Sequence, residues 1–171
     1  MGLFGPPDVE KARQTGRIEL MLEAANYKKD PAVAAAGREA LAEHLDLLIE
    51  ELQTRNIRRL RIAREALVAI GPRARDRLIF ILREGHVHRR QDAAFVLGEI
   101  GDETAVQPLC DSLKHTDPLL RALAAEALGK IGSRKALRAL RLAALDDDPG
   151  VTKAVRKALA KIPGGAPGPS L

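Results

Sequence analysis

Apolar residues recur along this chain at two intervals, one matching the turn of a helix and one close to thirty residues. The clearest copy runs from Asp117 to Gly132. In it Leu120, Ala124, Ala127, Leu128 and Ile131 fall within about 80° of Leu120 at about 100° per residue, the core face of a helix. Asp117 is a natural N-cap, Pro118 sits in the first turn, where its missing N–H costs nothing, and Gly132 closes the helix. Thirty-one residues later the pattern returns as Asp148-Pro149-Gly150-Val151, then Val155, Ala158, Leu159 and Ile162. It also precedes this copy, over 86–101, over 56–71 and, earliest, from Asp30-Pro31-Ala32-Val33 to Glu39-Ala40-Leu41. Five copies at a fixed period mark a solenoid, in which each hairpin buries its face only against its neighbours.

Each copy is the second helix of a hairpin, and its partner helix lies just upstream. The predicted repeats span about 17–45, 46–71, 72–101, 102–132 and 133–163. Their helices fall at about 17–27 and 31–44, 47–52 and 57–70, then 78–82 and 87–100. Residues 1–16 read as an N-terminal cap: Asp8 starts a short helix through Gln14, Thr15-Gly16 ends it, and Leu3 and Phe4 either fold down onto the core or form a short exposed docking motif. Residues 164–171, rich in glycine and proline, have nothing to bury and are expected to be disordered.

The residues at 117–132 form the pattern Asp-Pro-x-(Val/Leu)-Arg-x-x-Ala-Ala-x-Ala-Leu-Gly-x-Ile-Gly. This pattern resembles the HEAT-like repeat of the phycobilisome-lyase type, and Asp102 to Leu109 resembles the first helix of that repeat. Over 17–163 the resemblance implies an all-α fold: a right-handed α-solenoid of about five HEAT-like helical-hairpin repeats, with second helices lining the concave side. It further implies that Asp117 and Arg121 tie neighbouring repeats together. Arg90 matches Arg121, whereas Ala34 and Thr152 replace the arginine. Such repeats serve lyases, assembly factors and scaffolds alike, so the resemblance implies little about chemistry.

The repeat register divides each second helix by angle. Ala125 and Gly129 lie on one flank, where small residues (Ala42, Val68, Gly98 and Ala160 at the equivalent of Gly129) let the next repeat pack closely. The other flank should line the concave face: Ala32, Ala35, Ala36, Glu39 and Glu43; Arg58, Arg61, Ile62, Glu65 and Ala69; His88, Gln91, Asp92, Phe95 and Glu99; Leu119, Ala122, Leu123, Glu126 and Lys130; Gly150, Lys153, Ala154, Lys157 and Lys161. Ala36, Ile62, Leu123 and Ala154 share one position and, with Phe95, predict an apolar ridge, unless Ile62 and Leu123 merely complete the edge of the core. Across the whole groove six cations meet six carboxylates. A phosphate-binding groove would hold cations in excess. The balance therefore favours a partner helix or peptide of another protein laid along the ridge.

The net charge of +5 changes this picture only through its distribution. Residues 1–56 hold seven basic against ten acidic side chains, 57–90 ten against three, 91–132 three against seven, and 133–171 eight against three. Arg73, Arg75, Arg77 and Arg83, with Arg134, Lys135, Arg138 and Arg141, leave nucleic-acid binding by the third and fifth repeats as the alternative. A phycobilin lyase-like subunit is a further alternative, resting on the repeat resemblance. With 46% hydrophobic but only 2% aromatic residues the core is aliphatic. No apolar run suggests a membrane span or secretory signal, and the single Cys110 gives no internal disulfide, so a cytoplasmic setting is expected.

The chemistry-bearing residues read as structural. His86 and His88 lack a third ligand of metal-site spacing, and His115 sits near a helix end. HEAT-like iron hydroxylases carry His-Glu pairs, and this sequence has no His-Glu dipeptide. Cys110 reads as a buried inert thiol, and Asp146-Asp147-Asp148 as a polar turn ending in an N-cap. No catalytic residue, metal site or cofactor is therefore expected, and the chain reads as a non-enzymatic protein-interaction scaffold.

Overall fold

A computed structural model describes residues 6–165, and every regular element among the described residues is helical. The fold is an all-α solenoid of HEAT-like helical hairpins. It divides into two compact units, Met1–Ala74 and Arg75–Leu171. Leu3, Phe4 and the chain beyond Gly165 lie outside the described residues.

The first unit comprises α1 (Val9–Thr15), α2 (Ile18–Ala25), α3 (Pro31–Ala42), α4 (Leu45–Glu51), α5 (Ile57–Ile70) and a 3-10 turn over Gly71–Ala74. Three of its helices, α1, α3 and α5, start where side-chain oxygens satisfy the free amides: Asp8 accepts from the Lys11 N–H, Asp30 from Ala32, and Asn56 from Arg59. Helix α1 packs on α2 and α3, and α2 packs along α3. Gly37 makes the last contact possible, since a Cβ there would stand 2.3 Å from the Ala25 backbone nitrogen. Met21, Leu41, Leu48, Leu52 and Leu67 fill the core with under 3% exposure, each worth about 2 kcal/mol of burial.

The second unit comprises α6 (Arg75–Glu84), α7 (Val87–Ile100), α8 (Val106–Ser112), α9 (Pro118–Ile131), α10 (Leu137–Ala143) and α11 (Pro149–Lys161). Short 3-10 turns, Glu103–Ala105 and Arg134–Ala136, lead into α8 and α10, capped by Asp102 and Ser133. Helix α9 lies between α7 and α11, with α8 against it. Leu97, Leu120, Leu128 and Leu140 are fully buried. Two glycines set the helix spacing: Gly98 faces Ala127, and Gly129 faces Ala158. A Cβ on either glycine would come within 2.7 Å of the facing Cα. The last residue of α9 departs from the wheel: Ile131 is only half-buried, next to Gly132, which ends the helix at φ 73°. Beyond α11, Gly165 is buried and Arg141 donates to the Gly164 carbonyl at 3.0 Å.

Candidate partner-binding face

The second helices of the second unit, α7, α9 and α11, present one continuous side. It is built by packing that the small residues Gly98 and Gly129 allow on the inner flank. His88, Leu119 and Gly150, 31 residues apart, are exposed at the helix starts, Leu119 to 54%. Further along, Phe95 is half-buried while Glu126 and Lys157 are exposed. The Lys130 ammonium stands 5.0 Å above the Phe95 ring and pairs with Glu99. This contact covers the aromatic face with a cation rather than leaving it bare. Gln91 spans to the next repeat, donating to Asp117 at 2.9 Å, and His88 Nδ1 lies 3.3 Å from the Gln91 Oε1.

The predicted ridge is not a free apolar strip. Leu123 is half-buried, while its equivalents Asp92 and Ala154 are 5% and 4% exposed. That position is the edge of the core, and the strip available to a ligand lies one step further round, at His88, Leu119, Phe95 and Glu126. The charge balance also changes within this unit, because Asp92 is buried and Lys130 is spent on Glu99. Among the residues named on this side of the unit, Lys153, Lys157 and Lys161 then stand against a single carboxylate, Glu126. All three lysines are exposed on successive turns of α11, with Arg156 beside them and no carboxylate in the helix.

In the first unit, Ile62 is half-buried and lines a shallow groove of about 290 Å3 with Glu19, Glu23, Arg58, Arg61 and Glu65. Arg61 pairs with Glu65 at 3.4 Å. The arginine clusters are partly neutralised: Arg73 pairs with Glu39 at 2.5 Å, Arg75 with Asp102 at 3.1 Å, and Lys135 with Glu103 at 2.9 Å. The Asp102 carboxyl is held below its ordinary range by hydrogen bonds from the Thr104 hydroxyl and amide, with Arg75 adding to them. Glu103 is lowered by Lys135 and Ser133.

The inter-repeat tie runs through Arg121 and Asp117, but in opposite directions. Arg121 grips Asp146 of the following repeat with both arms of its guanidinium, at 2.7 and 2.9 Å, and also donates to the His115 and Thr116 carbonyls. Asp117 reaches back to Gln91. Burial pushes the Asp117 carboxyl up, yet the Gln91 and Leu120 hydrogen bonds and the neighbouring His115 and His88 hold it below the ordinary value. Arg90 bonds the Gly85 carbonyl instead, since the residue 31 positions before Asp146 is His115, which carries no carboxylate.

The opposite side of this unit carries residues that the second-helix register did not single out. Leu142 and Leu145 are 64% and 84% exposed beside a trough of about 610 Å3 between α8 and α10. Their signal was present in the sequence: Leu142 lies about 200° around the helix from the buried Leu140, off the core face. Cys110 in the trough wall is 8% exposed, and burial, aided by Asp111, pushes its thiol up.

Among the described residues no group of three or more His, Cys, Asp or Glu side chains is placed to hold a metal ion. The His-Glu pairs of iron hydroxylases are also absent from the sequence, so these residues do not fit an iron site. No helix among the described residues is long and apolar enough to cross a membrane.

Comparison with known proteins places this geometry in a family. A profile of HEAT repeats matches residues 76–160. Over 57 residues, 33% of this chain and 21% of the relative, the sequence is 42% identical to the phycocyanobilin lyase subunit alpha of Picosynechococcus sp.. Over 160 residues, 90% of this chain and 51% of the relative, it is 27% identical to deoxyhypusine hydroxylase-B of Oryza sativa subsp. japonica. The chain thus spans about half the length, or less, of these curated relatives. Human deoxyhypusine hydroxylase in complex with glycerol shares the fold at TM-score 0.56 and 21% identity, over 91% of this chain and 77% of that one. The complex of CpcE and CpcF of phycocyanin lyase from Nostoc sp. PCC7120 gives the same score and identity over 95% and 68%.

The expectation of a protein without enzymatic character is overturned by these relatives, which are named as a hydroxylase and a lyase subunit. The repeats fix a scaffold and leave chemistry open, so a fold without a recognisable catalytic motif was no ground for excluding it. The chain is a HEAT-like repeat protein, and its repeats are similar to those of the phycobilisome-lyase type.

Proposed function

We propose that this chain is a partner-binding repeat module that holds a segment of another protein along α7, α9 and α11. The observation that carries this reading is the stripe Lys153, Lys157 and Lys161. Like charges four residues apart disfavour a helix by about 0.2–0.5 kcal/mol per pair. Carboxylates of a bound segment would relieve that cost, while Leu119 and the Phe95 edge would take its apolar residues. The segment is accordingly acidic where it crosses α11 and apolar where it crosses α7 and α9. The relatives support a role beside a partner, since one is named as a subunit and another was solved as a complex of two proteins.

The test is affinity capture with the unaltered chain and with Lys153→Glu/Lys157→Glu/Lys161→Glu, alongside anisotropy of labelled DNA and RNA duplexes over a salt series. The proposal expects a discrete polypeptide that the triple variant loses at least tenfold, with no duplex binding. Capture of the same polypeptide by both proteins would overturn it. Duplex binding that falls steeply with salt would hand the lysines to phosphate contacts instead.

A second reading, a subunit of a bilin lyase, is favoured by the 42% identity to a phycocyanobilin lyase subunit. It requires that phycocyanobilin attachment in a reconstituted lyase mixture depend on this chain, and an unchanged rate without it would end that reading.

A further inference from the structure

The trough between α8 and α10 lies on the first-helix side of the second unit, away from the face proposed above, and does not depend on that reading. Helix α8 packs on the turn Arg134–Ala136 that leads into α10, and the trough runs on toward Leu113 and Leu145. Its lining includes the buried apolar Leu113 and Cys110, 6% and 8% exposed. One rim is the row Arg138, Leu142 and Leu145, spaced i, i+4 and i+7, so the three share one side of α10 and the turn after it. Leu142 and Leu145 stand 64% and 84% in solvent, so covering them together would be favourable.

The charges say what covers them. Of the ionic side chains on the rim, Asp146 is neutralised by Arg121 and Lys135 by Glu103. Lys114, in the turn after α8, and Arg138 on α10 have no ion-pair partner among the described residues, and the only carboxylate left on the rim is Asp111, which accepts from Gln107 at 2.9 Å, so one positive charge remains in excess.

We infer that this trough is a second docking site, which takes an amphipathic helix of a partner protein with leucine-type residues on one face and carboxylates on both flanks. The helix would lie along the row Arg138–Leu142–Leu145, its apolar face over Leu113 and the two exposed leucines. Its flanking carboxylates would meet Lys114 on one side and Arg138 on the other.

Cys110, the only cysteine in the chain, is a native reporter in the wall of this site. The probe is a fluorescein-labelled, hydrocarbon-stapled helix of fourteen residues with leucine on one face and glutamate on both flanks. Its control carries lysine in place of glutamate. Anisotropy reads binding, and the rate of Cys110 alkylation reads its location, at mildly alkaline pH where the thiol reacts. Micromolar binding of the glutamate probe is expected, at least tenfold tighter than the lysine control, with Cys110 alkylation slowed at least fivefold.

Leu142→Ser/Leu145→Ser, at exposed positions that leave the core intact, should abolish both signals. Lys114→Glu/Arg138→Glu should reverse the preference between probes. Lys153→Glu/Lys157→Glu/Lys161→Glu should change neither, which separates this site from the face on α11. Equal binding of both probes, no binding, or binding without protection of Cys110 would overturn the inference. So would alkylation that slows with the protein's own concentration, since a second copy would then be the occupant.

Discussion

At the scale of single residues, the Arg121–Asp146 pair carries the most specific consequence. Both side chains are under a fifth exposed, at 17% and 11%, so their attraction is little screened by solvent. The guanidinium hydrogen bonds, helped by the Asp148 amide, hold the Asp146 carboxyl below its ordinary value of about 3.9. A depressed carboxylate binds its proton more weakly folded than unfolded. Its contribution is therefore complete above the unfolded value and is lost as pH falls through the folded one. Asp146→Asn should cost about 3 kcal/mol, since it leaves the arginine without its counter-charge. Denaturant titrations should show a constant gap between the two proteins from pH 7 down to about 4, closing below that. A gap that widened in acid would refute the assignment. From sequence, Arg121 was legible as an inter-repeat tie through its family resemblance, but its partner was not. The acidic turn 146–148 reads as a polar turn ending in an N-cap, and Asp148 does cap α11, but Asp146 also receives the arginine.

At the scale of elements, the second helices were legible because cap, core spacing and terminal residue all agree locally. Helices α5 and α7 occupy 57–70 and 87–100 as predicted. The surface of those helices was less legible, because at the Leu123 position helix angle alone does not separate core edge from free face. Asp92 shows why: a charged residue drawn on the open flank is 5% exposed. The close-packed flank was foreseen from small residues, and its geometry gives a prediction. Gly129→Ala would gain about 1 kcal/mol of helix propensity. Its methyl, however, must displace the Ala158 backbone at 2.7 Å, and overpacking of that kind costs about 1–3 kcal/mol. A lowered melting temperature is expected despite the better helix former. Ala158→Gly in that background should restore part of the loss, since it removes the Cβ at 2.9 Å but not the Cα. An unchanged or raised melting temperature for the single variant would show that the helices move apart freely.

At the scale of the molecule, the block pattern of charge was plain in the sequence, but its distribution over surfaces was not. The even count of cations and carboxylates on the second helices assumed that every one of them faced solvent. Burial of Asp92 and the pairing of Lys130 with Glu99 turn the end of that face basic. The trough between α8 and α10 went unseen for a similar reason, as the repeat register directs attention to second helices. Position within the array also sets protection from exchange. Helix α9 packs against both α7 and α11, whereas α11 has its strongest packing on one side. Amide exchange should therefore be slowest in α9 and faster by at least tenfold in α11. Equal protection would mean that the second unit opens only as a whole.

The contacts that join successive repeats of this unit bridge intervals of one repeat: Gly98 with Ala127, Glu99 with Lys130, Arg121 with Asp146, Gly129 with Ala158. Closing such short loops is fast, and assembly does not wait for distant strands to meet. During synthesis at about 5–20 residues per second, each hairpin finds the contacts it needs within a few seconds of leaving the ribosome. The order in which the chain is made can thus be the order in which it sets, and each finished hairpin is the template on which the next one closes.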